Sequence, residues 1–239
     1  MKIKNIVKIL LSLVLVFGFS SAWAAQTIKW SMQGDSLTLD PHAQNEGPTT
    51  QVSRQVYEAL VQRGLDMKIG PALATSWKAT DPNTWVFQLR KDAKFSDGSG
   101  MTSADVVFSI LRAKQRTSDF KEYISTVSNV EAVGDYAVKI TTSKPNPILL
   151  NQLSNIFIMS KAWSEENFAI SPQNWDAGQE TFSATNALGT GPFKITLREP
   201  NTKTVFKRNK YWWGEMDDNG LTKIELLPIK NAATRVAAL

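Results

Sequence analysis

The chain has 239 residues and no cysteine, and this absence constrains its fold more than any other single feature. A protein without cysteine has no disulfide framework, so it must be stabilised by a large apolar core. Hydrophobic residues make up 42% of the sequence, which is enough to build such a core. The length allows one large domain or two small ones.

The first 24 residues have the pattern of a secretory leader. Three lysines precede an apolar run from Ile9 to Phe19, and Ala22-Trp23-Ala24 supplies the small-x-small pattern of a signal-peptidase site. The apolar run is shorter than the roughly 20 residues that a membrane-spanning helix needs. We therefore expect export, with cleavage after Ala24. Without a cysteine to acylate, the mature protein is expected to be soluble.

Removal of this leader changes the charge balance. The whole sequence has 27 basic and 22 acidic residues and a net charge of +5, and loss of the three leader lysines lowers the net charge to +2. So small an excess of positive charge produces no electrostatic field strong enough to attract nucleic acids or anionic membranes. We expect neither as a partner.

The apolar periodicity predicts a mixed α/β chain. Alternating apolar residues predict strands at 26–32, 85–89, 127–133, 136–141, 193–197, 204–206 and 223–227. Helical spacing predicts helices at 49–60, from 102 onward, at 148–153 and at 232–239, the last with Val236 and Leu239 inward. Residues 71–77 are interpreted as an apolar connector. The polar stretch 164–187 is interpreted as a surface excursion in which Phe168, Trp175 and Phe182 need a packing partner.

Two of these helices are predicted to bury one face each. The first, 49–60, has Pro48 near its first turn, where a missing N–H costs nothing, and Arg63-Gly64 is expected to end it. The second begins at Thr102, which forms a capping-box-like start with Asp105. Its apolar face is predicted to contain Val106, Val107, Ile110 and Leu111, and its basic residues Arg112, Lys114 and Arg116 suit the negative end of the helix dipole.

A polar turn with the only histidine joins the first strand to the first helix. Asp40-Pro41 favours a turn, because proline moves its predecessor out of the helical region. The loop has no evident apolar anchor, and a loop held at both ends is a common place for binding residues, so we interpret it as one wall of a ligand cleft. His42 could act as a general base, but a loop residue that bonds its own backbone is the favoured interpretation.

The sequence contains no recognisable catalytic constellation. A Cys-His pair is impossible, a Ser-His-Asp triad could use only His42, and neither a nucleophile elbow nor a zinc-binding His-Glu-x-x-His helix is present. A pair of carboxylates, as in glycosidases, stays open. Gly189-Thr190-Gly191 is better interpreted as a tight strand entrance than as a phosphate loop, because Pro192 removes an N–H. We expect packing roles for Trp212 and Trp213.

Several short segments, taken in order, resemble one protein family. The segments are Leu39-Asp40-Pro41-His42, Glu46-Gly47, Tyr57-Glu58-Ala59-Leu60, 71–77, 85–98, 102–109, 189–193 and 209–212. Each alone is a weak signal, but the ordered set is specific and spans most of the mature chain. It resembles the bacterial extracellular solute-binding proteins of family 5, which are the oligopeptide, dipeptide and nickel receptors of ABC importers.

The resemblance implies an α/β fold of the periplasmic binding protein-like II type, in which two lobes close on a ligand. The implied division is a signal peptide at 1–24, an incomplete first lobe of mixed sheet at 25–57 and 186–239, and an inserted α+β domain at 58–185. Family members are about twice as long as this chain. The second lobe is therefore expected to be absent, and the chain to be truncated.

The resemblance also implies a function and a small set of site residues. The protein would be a periplasmic receptor, not an enzyme, that needs no cofactor or metal, binds a peptide or related small solute as a monomer, and delivers it to membrane permease subunits. The implied ligand-binding residues are Glu46, Gly47 and Tyr123. A truncated fragment that cannot bind, and an exported hydrolase, are the alternatives.

Overall fold

The computed structural model describes residues 26–216 and 220–238, so the predicted leader and its cleavage site lie outside the described residues. The strands are β1 Gln26–Met32, β2 Val61–Arg63, β3 Ile69–Pro71, β4 Ala74–Asp81, β5 Thr84–Leu89, β6 Val127–Ala132, β7 Ala137–Thr142, β8 Phe193–Glu199, β9 Lys203–Arg208 and β10 Leu221–Pro228. The helices are α1 Gly47–Val56, α2 Ser103–Ala113, α3 Leu149–Leu153, α4 Lys161–Glu166, α5 Phe182–Thr185 and α6 Ala232–Ala238, with a 3-10 helix at Lys121–Ile124.

The first sheet has four strands in the order β1-β10-β9-β8, and it joins the two ends of the described chain. β1 runs parallel to β10, with Ile28 opposite Ile224 and Trp30 opposite Leu226. The other pairs are antiparallel, including the predicted hairpin β8–β9. Parallel strands need a long connection, and most of the chain lies between β1 and β10. The sheet is therefore mixed, as predicted.

A second, wholly antiparallel sheet has the order β4-β5-β7-β6, and β2 and β3 form a separate hairpin. The second sheet packs with α2 over one apolar core that includes Phe87, Ile110 and Ile140. A second core lies between the first sheet and α1. Phe157 and Met159 belong to that second core, although they lie within 58–185. The division of the chain at residues 58 and 185 stays a prediction.

The first helix ends earlier than predicted, at Val56 and not near Arg63. The next residues use their backbone carbonyls elsewhere: Glu58 accepts from the Ile158 N–H at 2.8 Å, and Leu60 accepts from the Ala74 N–H at 2.8 Å. These contacts replace the helical hydrogen bonds that the sequence pattern favours. Helical propensity is a weak preference that tertiary contacts override.

The second helix begins as predicted and buries most of the predicted face, including Val106. Its capping box between Thr102 and Asp105 is present, and Ile110 is buried. Leu111, predicted to be buried, is 51% exposed, whereas Arg112 is 1% exposed. The prediction for Leu111 is therefore wrong. Arg112 lies in the last turn of the helix, as predicted, but its side chain is buried and becomes the centre of the site described below.

Three further expectations are also wrong. The predicted connector 71–77 runs into strand β4 (Ala74–Asp81), an exposed edge strand that pairs with β5 although its sequence lacks apolar alternation. Phe168 does not pack, since its side chain is 91% exposed. Val236 is exposed on α6, while Leu239 lies outside the described residues.

In the part of the chain that the structure describes, no helix is long and apolar enough to cross a membrane.

Candidate functional site

The first part of the loop before α1 is buried, contrary to the prediction that the loop lacks an apolar anchor. Leu39 and Ala43 are both in the core, and the side chains of Asp40 and His42 have no exposed surface. Backbone hydrogen bonds attach the loop to distant segments, from the Leu39 N–H to Ala184 O and from the Asp119 N–H to His42 O. The loop is therefore a rigid part of the fold.

A buried ion pair between Asp40 and Arg112 holds this loop in place. The two guanidinium Nη atoms donate to the two carboxylate oxygens at 2.8 and 2.6 Å, which is the bidentate geometry that makes such pairs strong. The Ser183 hydroxyl and the Gln173 N–H also donate to Asp40. Burial alone would raise the pKa of Asp40, but the charge and hydrogen bonds of Arg112 outweigh it and lower the pKa to about 2.

Arg112 also satisfies its remaining donors within the protein. Its Nε donates to Ala169 O at 2.9 Å and its Nη2 to Ser171 O at 2.9 Å. A signal for this role was present in the sequence: Asp105, Ser109 and Arg112 follow at i, i+4 and i+7, so they form one polar stripe on α2. All three are buried: Ser109 and Asp105 accept from the Met159 and Lys161 N–H groups, and Arg112 donates to Ala169 O and Ser171 O.

The His42 ring is enclosed, and both of its nitrogens have partners inside the protein. Nε2 lies 2.9 Å from Phe157 O, which can only accept, and Nδ1 lies 3.1 Å from the Arg112 guanidinium, which can only donate. The ring is therefore neutral with its proton on Nε2. Burial and the charge of Arg112 lower the pKa of His42 to about 3. The interpretation favoured from the sequence is wrong, because the His42 ring forms a hydrogen bond with the Phe157 carbonyl and not with the backbone of its own loop.

Acidification from about pH 7 to pH 5 is expected to lower the free energy of unfolding by about 2 kcal/mol through His42. In this interval the unfolded chain binds a proton at an ordinary pKa of 6.5, and the folded chain, with a pKa of about 3, does not. The stability that neutral His42 contributes is fully present above its pKa in the unfolded chain. It is lost as the pH falls toward its pKa in the folded chain. Glu58, whose pKa is raised by burial, contributes in the opposite sense.

Urea denaturation of the wild type and His42→Gln at several pH values in this range measures the effect. The variant retains Glu58, so the difference between the two pH profiles isolates His42, the only histidine in the sequence. The wild type should lose more stability than the variant on acidification. Parallel profiles would show that His42 is not held neutral in the folded state.

The predicted site residues lie beside this buried cluster. Tyr123 is in the 3-10 helix, and its hydroxyl accepts a hydrogen bond of 3.3 Å from the Asn45 amide, next to Glu46 in the chain. The Tyr123 ring packs on Phe120 at 5.9 Å between centroids, and Phe120 packs edge-on against His42 at 6.3 Å. The cluster therefore positions Tyr123 relative to the loop, although the role of these residues in binding stays a prediction.

Glu46 has a structural role that the sequence interpretation missed. It is the N-cap of α1, and its Oε1 accepts a 2.8 Å hydrogen bond from the Thr49 N–H. A carboxylate at a helix N-terminus is stabilised by the helix dipole. No other donor among the described residues contacts this carboxylate, so Oε2 can accept from a solute. Gly47 follows as an exposed first residue of the helix.

The two adjacent tryptophans near the end of the first sheet do more than pack. The indole N–H groups of Trp212 and Trp213 donate to the two carboxylate oxygens of Glu58 at 3.2 and 3.0 Å. Arg90 stacks on the Trp213 ring, 3.1 Å from its centroid. Burial raises the pKa of Glu58, and the hydrogen bonds from these indoles and the charge of Arg90 oppose that shift. The cluster connects the segment after α1 to the segment after β9.

Gly189-Thr190-Gly191 is a close-packing motif, in agreement with its interpretation as a tight strand entrance. The Gly191 N–H donates to Val56 O, the last carbonyl of α1, at 2.8 Å. A Cβ atom at Gly189 would lie 2.1 Å from the same oxygen.

Within the described residues, no group of three or more acidic or histidine side chains is arranged to hold a metal ion.

The comparison with known families identifies this fold. The family model described as bacterial extracellular solute-binding proteins, family 5 middle, matches residues 68–239. The chain belongs to this family. Among the curated relatives of this family 5 chain, the periplasmic murein peptide-binding protein MppA of Escherichia coli K12 is 27% identical over 97% of the chain and 47% of MppA.

Solved structures of family 5 proteins support the same assignment. The binding protein AgaA from A. tumefaciens R10, in complex with agropinic acid, superposes with a TM-score of 0.79 at 27% identity, over 90% of this chain and 42% of AgaA. The ABC transporter-associated binding protein DppA of Helicobacter pylori, in complex with the peptide STSA, gives 0.76 at 25% identity, over 90% and 44%. The periplasmic binding protein-like α/β fold is thus confirmed. The chain spans less than half the length of the curated relatives it matches.

Proposed function

We propose that the protein is the periplasmic substrate-binding component of an ABC importer, which captures peptides or a related small solute and delivers them to a membrane permease. The observation that carries the proposal is the hydrogen bond between Asn45 and Tyr123 in a chain of this family. It joins the loop before α1 to the 3-10 helix, so that Glu46, Gly47 and Tyr123 form one wall of a cleft. Solute-binding relatives such as MppA and DppA support a peptide as the ligand.

The chemistry of this wall suits recognition, not catalysis. The free Oε2 of Glu46 accepts a charge-assisted hydrogen bond from the ammonium group or a backbone N–H of the solute. A peptide in extended conformation is held through its main chain, so its side chains contribute less to affinity and the specificity is broad. Hinge closure against a second lobe then excludes water and presents the closed form to the permease.

Mass spectrometry of the protein purified from the periplasm without denaturation tests this function. A peptide or other small solute is expected to co-purify and to dissociate on unfolding. An empty protein that also binds none of a mixture of di- to pentapeptides in calorimetry would reject the proposal. Turnover of any of these peptides by the purified chain would favour an exported hydrolase instead.

Gly47→Ala is expected to weaken solute binding by about tenfold without destabilising the fold. A Cβ atom at Gly47 would meet no atom of the protein within 4 Å, so the protein itself tolerates it. Alanine is also a better helix former than glycine. The solute does not tolerate the added methyl group in the same way, because the methyl group would occupy space that the bound solute needs. Calorimetry with the co-purified ligand, together with thermal unfolding, measures both effects, and unchanged affinity would remove Gly47 from the binding wall.

A second candidate is a fragment that folds but does not bind alone, and the length of the relatives favours it. Sequencing the DNA beyond the codon for Leu239 tests whether the reading frame continues. If a longer product exists, the 239-residue chain and the longer product are compared in the same titration. Binding by both would reject the fragment, and binding by the longer product alone would establish it.

A further inference from the structure

A groove that Tyr123 helps to line contains two arginines. The groove has a volume of about 720 Å³, within the range of about 300–1,000 Å³ for small-molecule sites. Arg54, on α1, and Arg63, at the end of β2, both line it. Among the described residues, no carboxylate forms an ion pair with either one.

The two guanidinium groups are held on one wall by neutral amides. Arg54 Nη2 donates to Asn155 Oδ1 at 3.2 Å, and Arg63 Nη2 donates to Asn151 Oδ1 at 3.0 Å. The orientation of Asn155 is fixed, because its amide N–H donates to Asn151 O at 3.0 Å. Asn151 lies in α3 and Asn155 two residues beyond its end, so the hydrogen bond between them places the two arginine partners side by side.

The electrostatics of this pair favour an anion. A guanidinium has five N–H donors, and each of these two uses one in a hydrogen bond to the described residues. Burial lowers the pKa of Arg54, and the charge of Arg63 lowers it further. Two neighbouring cations with neutral partners repel each other, and an oxyanion that accepts from both relieves this repulsion.

We infer that this groove binds an oxyanion of the solute, a carboxylate or a phosphate, at Arg54 and Arg63. The inference rests on the proposed function and narrows it to solutes that carry negative charge beyond the peptide backbone. Tyr123 lines the groove and also contacts the loop before α1, through its hydrogen bond with Asn45. The groove continues past Arg54 and Arg63 into a smaller cavity of about 250 Å³ lined by Glu58 and Trp212.

Calorimetric titration of the whole chain at low salt with three tripeptides tests this inference. The probes are Ala-Glu-Ala, Ala-phosphoserine-Ala and the neutral-side-chain control Ala-Gln-Ala, all amidated at the C-terminus so that the central side chain is the only possible oxyanion. A charge-assisted contact contributes enough to give at least about tenfold tighter binding of an acidic peptide than of the neutral one. The tighter of the two acidic probes identifies carboxylate or phosphate as the preferred group.

The double variant Arg54→Gln/Arg63→Gln is expected to remove this preference and to leave the affinity for Ala-Gln-Ala unchanged. The control Lys78→Gln/Lys207→Gln removes the same charge from exposed strand residues away from the groove, and it should keep the preference. Thermal unfolding by circular dichroism checks that all variants are folded. Arg54→Lys/Arg63→Lys, which keeps the charge without the planar fork, should retain part of the preference.

Equal affinity for all three tripeptides would overturn the inference, and so would an acidic preference that survives the arginine substitutions. Loss of the preference in the lysine control would also overturn it, because net charge alone would then explain the effect. In these cases neutral peptides still bind, and the proposed function stands. Binding of no tripeptide at all would overturn the inference, while the proposed function is rejected only if no solute co-purifies with the protein and the peptide mixture does not bind either.

Discussion

Arg112→Met is expected to lower the free energy of unfolding by about 3–5 kcal/mol, the cost of breaking a buried ion pair from one side. The substitution leaves the Asp40 carboxylate without surface exposure and without its charged partner. It also leaves Ala169 O and Ser171 O without their donors. Methionine fills much of the volume but supplies no hydrogen bond.

Urea denaturation at neutral pH measures this loss, and Lys161→Met is the matched control. Lys161 forms an exposed i,i+4 ion pair with Glu165, and such pairs contribute about 0.3–0.5 kcal/mol. The control should therefore be nearly as stable as the wild type. Equal stability of the two variants would show that the Asp40–Arg112 pair does not hold the loop before α1 in place.

Gly189→Ala is expected to destabilise the protein by at least about 3 kcal/mol, at the upper end of the range for overpacking. The added Cβ atom would lie 2.1 Å from Val56 O, and at 2.8 Å it would meet Val56 C and a ring atom of Tyr57. Val56 O cannot move away freely, because it accepts the hydrogen bond from the Gly191 N–H. The backbone of α1 and the strand entrance would have to separate.

Gly70→Ala is the control for the glycine substitution, since a Cβ atom there would meet nothing within 4 Å. Gly70 lies in β3, where alanine is tolerated at least as well as glycine. Thermal unfolding of both variants measures the difference. A Gly189→Ala protein as stable as Gly70→Ala would mean that α1 and the Gly189-Thr190-Gly191 motif are not in close contact.

The parts of the fold that depend on neighbouring residues could be predicted from the sequence. The hairpins β6–β7 and β8–β9 have alternating arms around turn residues, and the capping box of α2 needs only Thr102 and Asp105. The mixed first sheet and the periplasmic binding protein-like fold followed from the resemblance. In each case the signal lies within a few residues or in an ordered set of motifs.

The parts that depend on distant residues could not be predicted. Arg112 is on the polar stripe of α2, but its partner Asp40 is 72 positions away, so a basic residue near a helix end was the simpler interpretation. The end of α1 is set by contacts with Ile158 and Gly191. Strand β4 exists because it pairs with β5, without apolar alternation of its own. Tertiary contacts decide all three.

The placement of Glu46 and Tyr123 on one binding wall is the central claim, and a calorimetric cycle tests it most directly. The co-purified ligand and its N-acetylated form are titrated into the wild type and Glu46→Gln, in which the amide oxygen can still cap α1. If Glu46 binds the ammonium group, the substitution weakens binding of the free amine by about tenfold or more and leaves the acetylated ligand unaffected. An equal loss of affinity for both ligands would mean that Glu46 binds a backbone N–H of the solute instead, and no loss for either ligand would contradict the claim.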